Sequence, residues 1–309
     1  MDALFEIARQ FLFSGQAILF SPFYLSGFVA IALLIYLWRR ETGGFFRWLF
    51  PRAIYGHSST RTDLWLFTIG QVIGALGLFA RFAAIPAVAA YVASVMPRAI
   101  LPDAALSPVM LAMVLFVCGD FALYWAHRAH HTFSVIWPLH AVHHSAEVLS
   151  PITAYRLHPL SAAVNASFVT VVVGSLYGML VGVFDPEATI VEIAGANAIV
   201  VIINLTLTNF HHSHIWVSFG PFWERLVISP AQHQVHHSTA PVHYNKNFGQ
   251  TLAIWDWLFG TLYLTSKNED LRFGLSDQAD APLMTQRLWP VLWDPIRRIA
   301  RASTGRRDV

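Results

Sequence analysis

HRAHH at 127–131, HAVHH at 140–144 and HQVHH at 233–237 repeat one pattern, three histidines at positions i, i+3 and i+4. On a helix these positions lie on one face, one above another. A row of imidazoles so placed can reach one metal ion, or two adjacent ions, from a single rigid element. Of the fifteen histidines, fourteen fall between 127 and 243, and only His57 lies outside. Histidine is the commonest metal ligand and suits first-row transition metals. Clustered imidazoles without a metal would repel one another on protonation, so three copies argue for coordination. His57, standing alone, reads as an amphipathic side chain at a membrane interface.

The donor set narrows the metal chemistry. The single cysteine, Cys118, sits in an apolar run, so neither an intramolecular disulfide nor a thiolate site is available. No H-E-x-x-H motif is present, which argues against the usual zinc hydrolase. No Glu is followed by His three residues later, which argues against the soluble ferritin-like di-iron pattern. The histidines exceed what one ion can use, and two ions with roughly five imidazoles each is the simplest allocation.

The elements that must position these boxes are apolar. The 309 residues are 55% hydrophobic and 12% charged, with a mean hydropathy of +0.50. Soluble domains carry about twice that charge. The net charge of +2 fits a membrane protein with basic cytoplasmic loops and points to no nucleic-acid partner. The first residues, MDALFEIARQ, lack the basic start of a cleavable signal, and the run 19–38 reads as a true transmembrane helix. Further apolar spans are expected over 64–96, 105–126, 160–183 (ending at Phe184-Asp185-Pro186) and 188–209. The segment 64–96 is either one crossing with an interfacial piece or two short ones. Arg39, Arg40, Arg47, Arg52 and Arg61 place the end of the first span in the cytoplasm. With one crossing in 64–96, all three boxes share that side, as do Arg297, Arg298, Arg301, Arg306 and Arg307. Residues 285–302 mix Trp with Arg as an interfacial helix would.

The segments YWAHRAHH (124–131), LHAVHHSAE (139–147), RLHPL (156–160), FHHSH (210–214), SPAQHQVHHS (229–238) and YNKNFGQTLAIWDWLFGTLY (244–263) together resemble the fatty acid hydroxylase superfamily, the sterol desaturase-like integral-membrane di-iron oxygenases. The resemblance covers a little under half of the chain. It implies an all-α integral membrane fold, about four to five transmembrane helices under a cytoplasmic histidine-rich helical cap that holds a dimetal centre. It implies two Fe ions, held by His127, His131, His140, His143, His144, His158, His212, His233, His236 and His237. His130 is an addition to the family pattern, His211 takes a variable position and His214 replaces the usual Asn. The roles of His130, His211 and His214 stay open, as do those of His243, Asn247 and Asp256. For Asp256 a hydrogen bond to a ligand imidazole competes with a structural role in the cap.

Division of the chain is expected at 1–63 (membrane helix and basic loop), 64–265 (catalytic domain) and 266–309 (cytoplasmic or interfacial tail). The expected activity is hydroxylation of a lipid C–H bond with O2 as co-substrate and electrons from a separate reductase, ferredoxin or cytochrome. Desaturation and ether-lipid monooxygenation are alternatives within that chemistry, and a histidine-rich metal transporter is the alternative of another class. Transporters place their polar ligands inside the spans, whereas these boxes lie at span ends. The expected location is a bacterial-type inner membrane, multi-pass, with boxes and C-terminus cytoplasmic.

Overall fold

A computed structural model of the chain describes residues 18–77, 84–96, 107–183, 192–193, 196–265 and 268–303. Arg81, the turn signal at 184–186, and Arg306 and Arg307 lie outside the described residues.

Helix starts follow one local rule. Ser21-Pro22, Ser107-Pro108 and Ser229-Pro230 each begin a helix, with the serine hydroxyl accepting a backbone N–H and proline occupying the first turn. Proline costs nothing there because its missing N–H would be unpaired anyway, and its fixed φ suits the helix. The helices so opened are α1 (Pro22–Trp38), α4 (Pro108–Thr132) and α8 (Pro230–His236). The others that matter here are α2 (Ser58–Ala75), α3 (Ile85–Val95), α5 (Trp137–His144), α6 (Pro159–Val183), α7 (Ala198–His211), α9 (Ile254–Leu258) and α10 (Leu288–Ser303). The structure is all-helical apart from short bridges and a two-residue antiparallel pair, Glu192–Ile193 with Ala196–Asn197.

Among the described residues two helices, α4 and α6, are long and apolar enough to cross a bilayer, while α1, α3 and α7 are apolar but shorter. The expected span 64–96 is two helices: α2 leaves the cap at Ser58, and α3 lies along the far half of α6. Gly174, Gly178 and Gly182 make that contact. A Cβ at Gly178 would lie 2.5 Å from the Ala89 carbonyl oxygen, and one at Gly174 would lie 2.7 Å from Val88. Close approach over small residues is how apolar helices associate where hydrophobic burial gives no driving force. Because Val88 meets Gly174 and Met96 meets Gly182, α3 runs in the same sense as α6.

The boundary expected at 63/64 falls inside α2, and the C-terminal segment packs on the cap. Leu66 of α2, Ala141 and Val142 of α5, and Leu283 and Val291 near the C-terminus share one core cluster. Arg156, fully buried, binds across these parts: its guanidinium donates to the Val142 carbonyl, Ser145, Asp63 at 2.7 Å and Gln286. Helix α10 is amphipathic as expected, with Trp289 and Trp293 stacked on its exposed face. His57 also has a local structural role. Its Nδ1 accepts from the Ser59 amide and caps α2.

Candidate metal centre

Each box sits where a helix stops. His127, His130 and His131 occupy the last turns of α4, and box two is the C-terminal half of α5. His233 and His236 lie on α8, with His237 as its C-cap; His211 ends α7 and His212 follows it. Helix α8 is only seven residues long and is held by a capping box. The Gln232 amide donates to Ser229 Oγ at 3.1 Å while the Gln232 side chain accepts from the Ser229 amide at 3.0 Å.

The imidazoles gather into two groups, each able to hold a metal ion: His127, His131, His140, His144 and His236 in one, and His143, His212, His233 and His237 in the other. The division follows helical geometry. In every box the i and i+4 histidines go to the same group. In boxes two and three the remaining histidine, His143 or His236, crosses to the other group, which interlocks the two. No carboxylate or thiolate joins either group among the described residues, so the donors are all neutral imidazoles.

Hydrogen bonding alone cannot satisfy this arrangement. His212 Nε2 lies 3.1 Å from His143 Nε2, 3.0 Å from His233 Nε2 and 3.2 Å from His237 Nε2. A neutral imidazole nitrogen has one proton or one lone pair, never enough for three nitrogen neighbours. Nitrogens bound to one metal at about 2.0–2.1 Å stand roughly 2.9–3.4 Å apart, depending on the bond angle. In the first group, the buried Nε2 atoms of His127, His131 and His236 have no hydrogen-bond partner. The residues present therefore fit a pair of metal ions.

Burial sets the protonation state. Desolvation lowers the pKa of His140, His144, His212, His233 and His237 well below the ordinary value, with neighbouring histidines adding to the effect. Desolvation also takes His143 down to about 3 and His236 down to about 4. Neutral imidazole is the form that binds metal.

The NKNFG segment explains two of the ligand orientations. His236 Nδ1 donates to the Lys246 carbonyl at 2.8 Å and His127 Nδ1 donates to the Phe248 carbonyl at 2.9 Å. Both Nε2 lone pairs are thereby turned inward. Asn247, between the two carbonyls, adopts φ of 56° and ties the segment to α8 through the Gln232 carbonyl. Asp256 touches no histidine: its carboxylate accepts from the Phe248 and Gly249 amides and from Thr261. It thus shapes the segment that aims His127. A Cβ at Gly249 would come within 2.9 Å of that carboxylate, so the contact needs glycine.

The remaining candidates belong to neither group. His158, expected as a ligand, has both nitrogens in use: Nδ1 accepts from the Leu160 amide and Nε2 donates to the Leu292 carbonyl at 2.9 Å. It pins α10 to the start of α6. His130 turns away to the Ala126 carbonyl and Ser161. His214 donates to the Trp48 carbonyl, and His243 pairs with Glu269 at 3.1 Å. His211 stacks on His233 with centroids 5.1 Å apart. Sequence reading passed over Asp120, whose carboxylate bolts α4 to the cap through the Thr251 and Leu252 amides and Trp255. An acid inside an apolar run was the available signal.

Two cavities reach the histidines. One, of about 500 Å³, lies among α2, α4, α6 and α7 and touches His127, His140, His143, His212 and His233. The other, of about 360 Å³, opens between cap segments and touches His131, His144, His236 and His237.

The geometry thus brings together two imidazole groups able to hold metal ions, at the ends of apolar helices and beside a largely apolar cavity. Residues 112–261, a little under half of the chain, match the fatty acid hydroxylase family. The chain is 29% identical over 176 residues to an alkylglycerol monooxygenase of Danio rerio, covering 57% of this chain and 34% of that protein. It is 26% identical over 184 residues to an ornithine lipid hydroxylase of Rhizobium tropici, with 59% and 51% covered. It is 27% identical over 164 residues to a Delta(7)-sterol-C5(6)-desaturase of Nicotiana tabacum, with 51% of each covered. The chain thus spans between a third and a half of the length of these relatives. No solved structure matches it.

Proposed function

We propose that the protein is a membrane-bound non-haem di-iron oxygenase that hydroxylates a C–H bond of a lipid. The observation that carries this reading is the pair of interlocked imidazole groups at the wall of a cavity formed by apolar helices. The overall balance is C–H + O2 + 2 e⁻ + 2 H⁺ → C–OH + H2O, with electrons from a separate reductase, ferredoxin or cytochrome. Two iron ions, bound by His127, His131, His140, His144 and His236 and by His143, His212, His233 and His237, would supply dioxygen activation.

The chain's own contribution is positional. The Lys246 and Phe248 carbonyls aim two ligands, the apolar walls hold a lipid against the site, and the buried cap keeps bulk water out. The donors being neutral imidazoles, the residues would leave the charge of bound ions uncompensated by the protein, which would favour anionic ligands there. We take 58–96 as one interrupted crossing, because α2 leads away from the cap and α3 runs with α6. On this reading the boxes and C-terminus share the cytoplasmic side of a multi-pass protein, as the arginines after the first apolar helix support.

The test is to purify the protein from iron-replete cells, count metal, and supply membrane lipids, a one-electron donor and ¹⁸O2. Expected are two irons per chain and incorporation of one labelled oxygen into a lipid. Loss of two hydrogens without oxygen would assign desaturation instead, the activity named for the tobacco relative. An iron-free preparation, or turnover without O2, would overturn the reading.

A further inference from the structure

The larger cavity carries more polar chemistry than a hydrocarbon chain requires. Asn165 lies about 9 Å along α6 from its first residue, inside an apolar helix, and faces the cavity. Its carboxamide has no hydrogen-bond partner among the described residues. Gln250, on the cap side of the same cavity, is likewise unpartnered. Asn204 accepts from Thr208 at 2.9 Å, which leaves its NH2 group facing the cavity without an acceptor. Asn204 and Thr208 bound a π-helical stretch of α7, a widened turn of the kind that recurs at functional sites. Carboxamides in apolar helices ordinarily pair across the helix interface, since an unpaired one is costly. Asn165 and Gln250 do not pair among the described residues, and Asn204 pairs only within its own helix, with Thr208.

Charge is the second observation. No Asp, Glu, Lys or Arg lines this cavity, although imidazoles and carboxamides do. A carboxylate or phosphate placed there would meet no cationic side chain. A sterol would offer one hydroxyl to Asn165, Asn204 and Gln250, beside a fourth carboxamide in the lining, Gln71.

We propose that Asn165, Asn204 and Gln250 form a subsite for the uncharged polar head of a lipid bearing several hydrogen-bonding groups, such as a glycerol or an amide linkage. The carbon presented to the histidine groups is then one close to that head. This inference names the substrate class for the oxygenase reading and rests on it.

The test measures lipid binding to the purified metal-loaded protein by displacement of a fluorescent lipid. The probes are a monoalkylglycerol, the free fatty acid of equal chain length and cholesterol. The monoalkylglycerol should bind at least tenfold tighter than either competitor. Asn165→Leu and Gln250→Leu should each weaken it about fivefold, the worth of one uncharged hydrogen bond, and leave cholesterol unaffected. Asn165→Ser should recover part of the loss, and unchanged metal content and thermal unfolding would certify that the variants fold. Equal binding of all three lipids, or variants that bind monoalkylglycerol like wild type, would overturn the subsite. A preparation that shows this lipid preference but holds no iron would overturn the oxygenase reading and leave the subsite standing.

Discussion

The two histidine groups are built from the same boxes but held differently. In the first, His127 and His236 are anchored through Nδ1 to the Phe248 and Lys246 carbonyls, which Asp256 and Asn247 hold in place. In the second, the buried Nδ1 atoms of His143, His212, His233 and His237 have no hydrogen-bond partner among the described residues, as is also true of His140 Nδ1 in the first. The first group is therefore pre-aimed by the fold, while the second is held by packing and by whatever its Nε2 atoms share. The lesson is that a repeated motif does not imply repeated support, and the two ions should differ in how they are lost.

The largest effect should come from the centre of the second group. His212→Ala removes the imidazole that three others face, so metal content should drop from two ions per chain to one, with activity lost. His158→Gln provides the contrast. Because His158 serves backbone groups at α6 and α10, the variant should keep two ions and lose only some thermal stability. Metal analysis of the purified proteins decides it. One ion in the His158 variant would restore the ligand role that sequence resemblance implied.

Acid should act on both groups at once. Buried neutral histidines have folded pKa values below the unfolded value of about 6.5, so below that pH the unfolded chain binds protons that the folded chain cannot. Stability is complete above pH 6.5 and falls on acidification, until His236 and His143 protonate in place near 4 and 3. Each such histidine contributes about 1.4 kcal/mol per pH unit, and the cap holds several. Metal-depleted protein should thus lose its cap between about pH 6.5 and 5, read by hydrogen exchange of α5 and α8. Protection that persists to pH 4.5 would mean that these imidazoles are not held neutral.

Asp256→Asn tests the pre-aiming itself. An amide cannot accept all the hydrogen bonds that the carboxylate takes from Phe248, Gly249 and Thr261, so the segment behind His127 should shift. Loss of such support typically costs 10–100-fold in metal affinity. Chelator titration should show the first ion weakened by about that factor and the second unchanged. Equal weakening of both would erase the distinction between the groups.

How much of this was legible in the sequence depends on the range of the interaction. The boxes were legible because i, i+3 and i+4 are fixed by local helix geometry, and nine of the ten expected ligands do gather into the two groups. The exception, His158, fails for a non-local reason: its Nε2 partner is the Leu292 carbonyl, 134 residues away. In the same motif Arg156 holds Ser59, Asp63, Val142, Ser145 and Gln286, from three parts of the chain, a role no neighbouring residue announces. Gly174, Gly178 and Gly182 stand four residues apart, but nothing local names α3 as their partner, and the sequence left open whether 64–96 is one element or two. Asp256 had its competing readings settled in favour of the cap, because its partners are backbone amides that sequence does not display.

The smallest effect should come from a cap. Ser229 begins α8 and exchanges two hydrogen bonds with Gln232, and only seven residues then carry His233 and His236. A helix that short has no stability of its own and relies on its cap and its packing. Ser229→Ala should cost about 1 kcal/mol by the usual worth of an N-cap. Ser229 also donates to the buried Glu224 carboxylate at 2.8 Å, so the loss should lie at the upper end of that range. Since α8 supplies His233 and His237 to the unanchored second group and only His236 to the anchored first, the second ion should exchange faster while the first does not. Metal-exchange kinetics resolve this, and equal acceleration of both ions would show that the cap of α8, rather than the carbonyls of 246–248, positions His236.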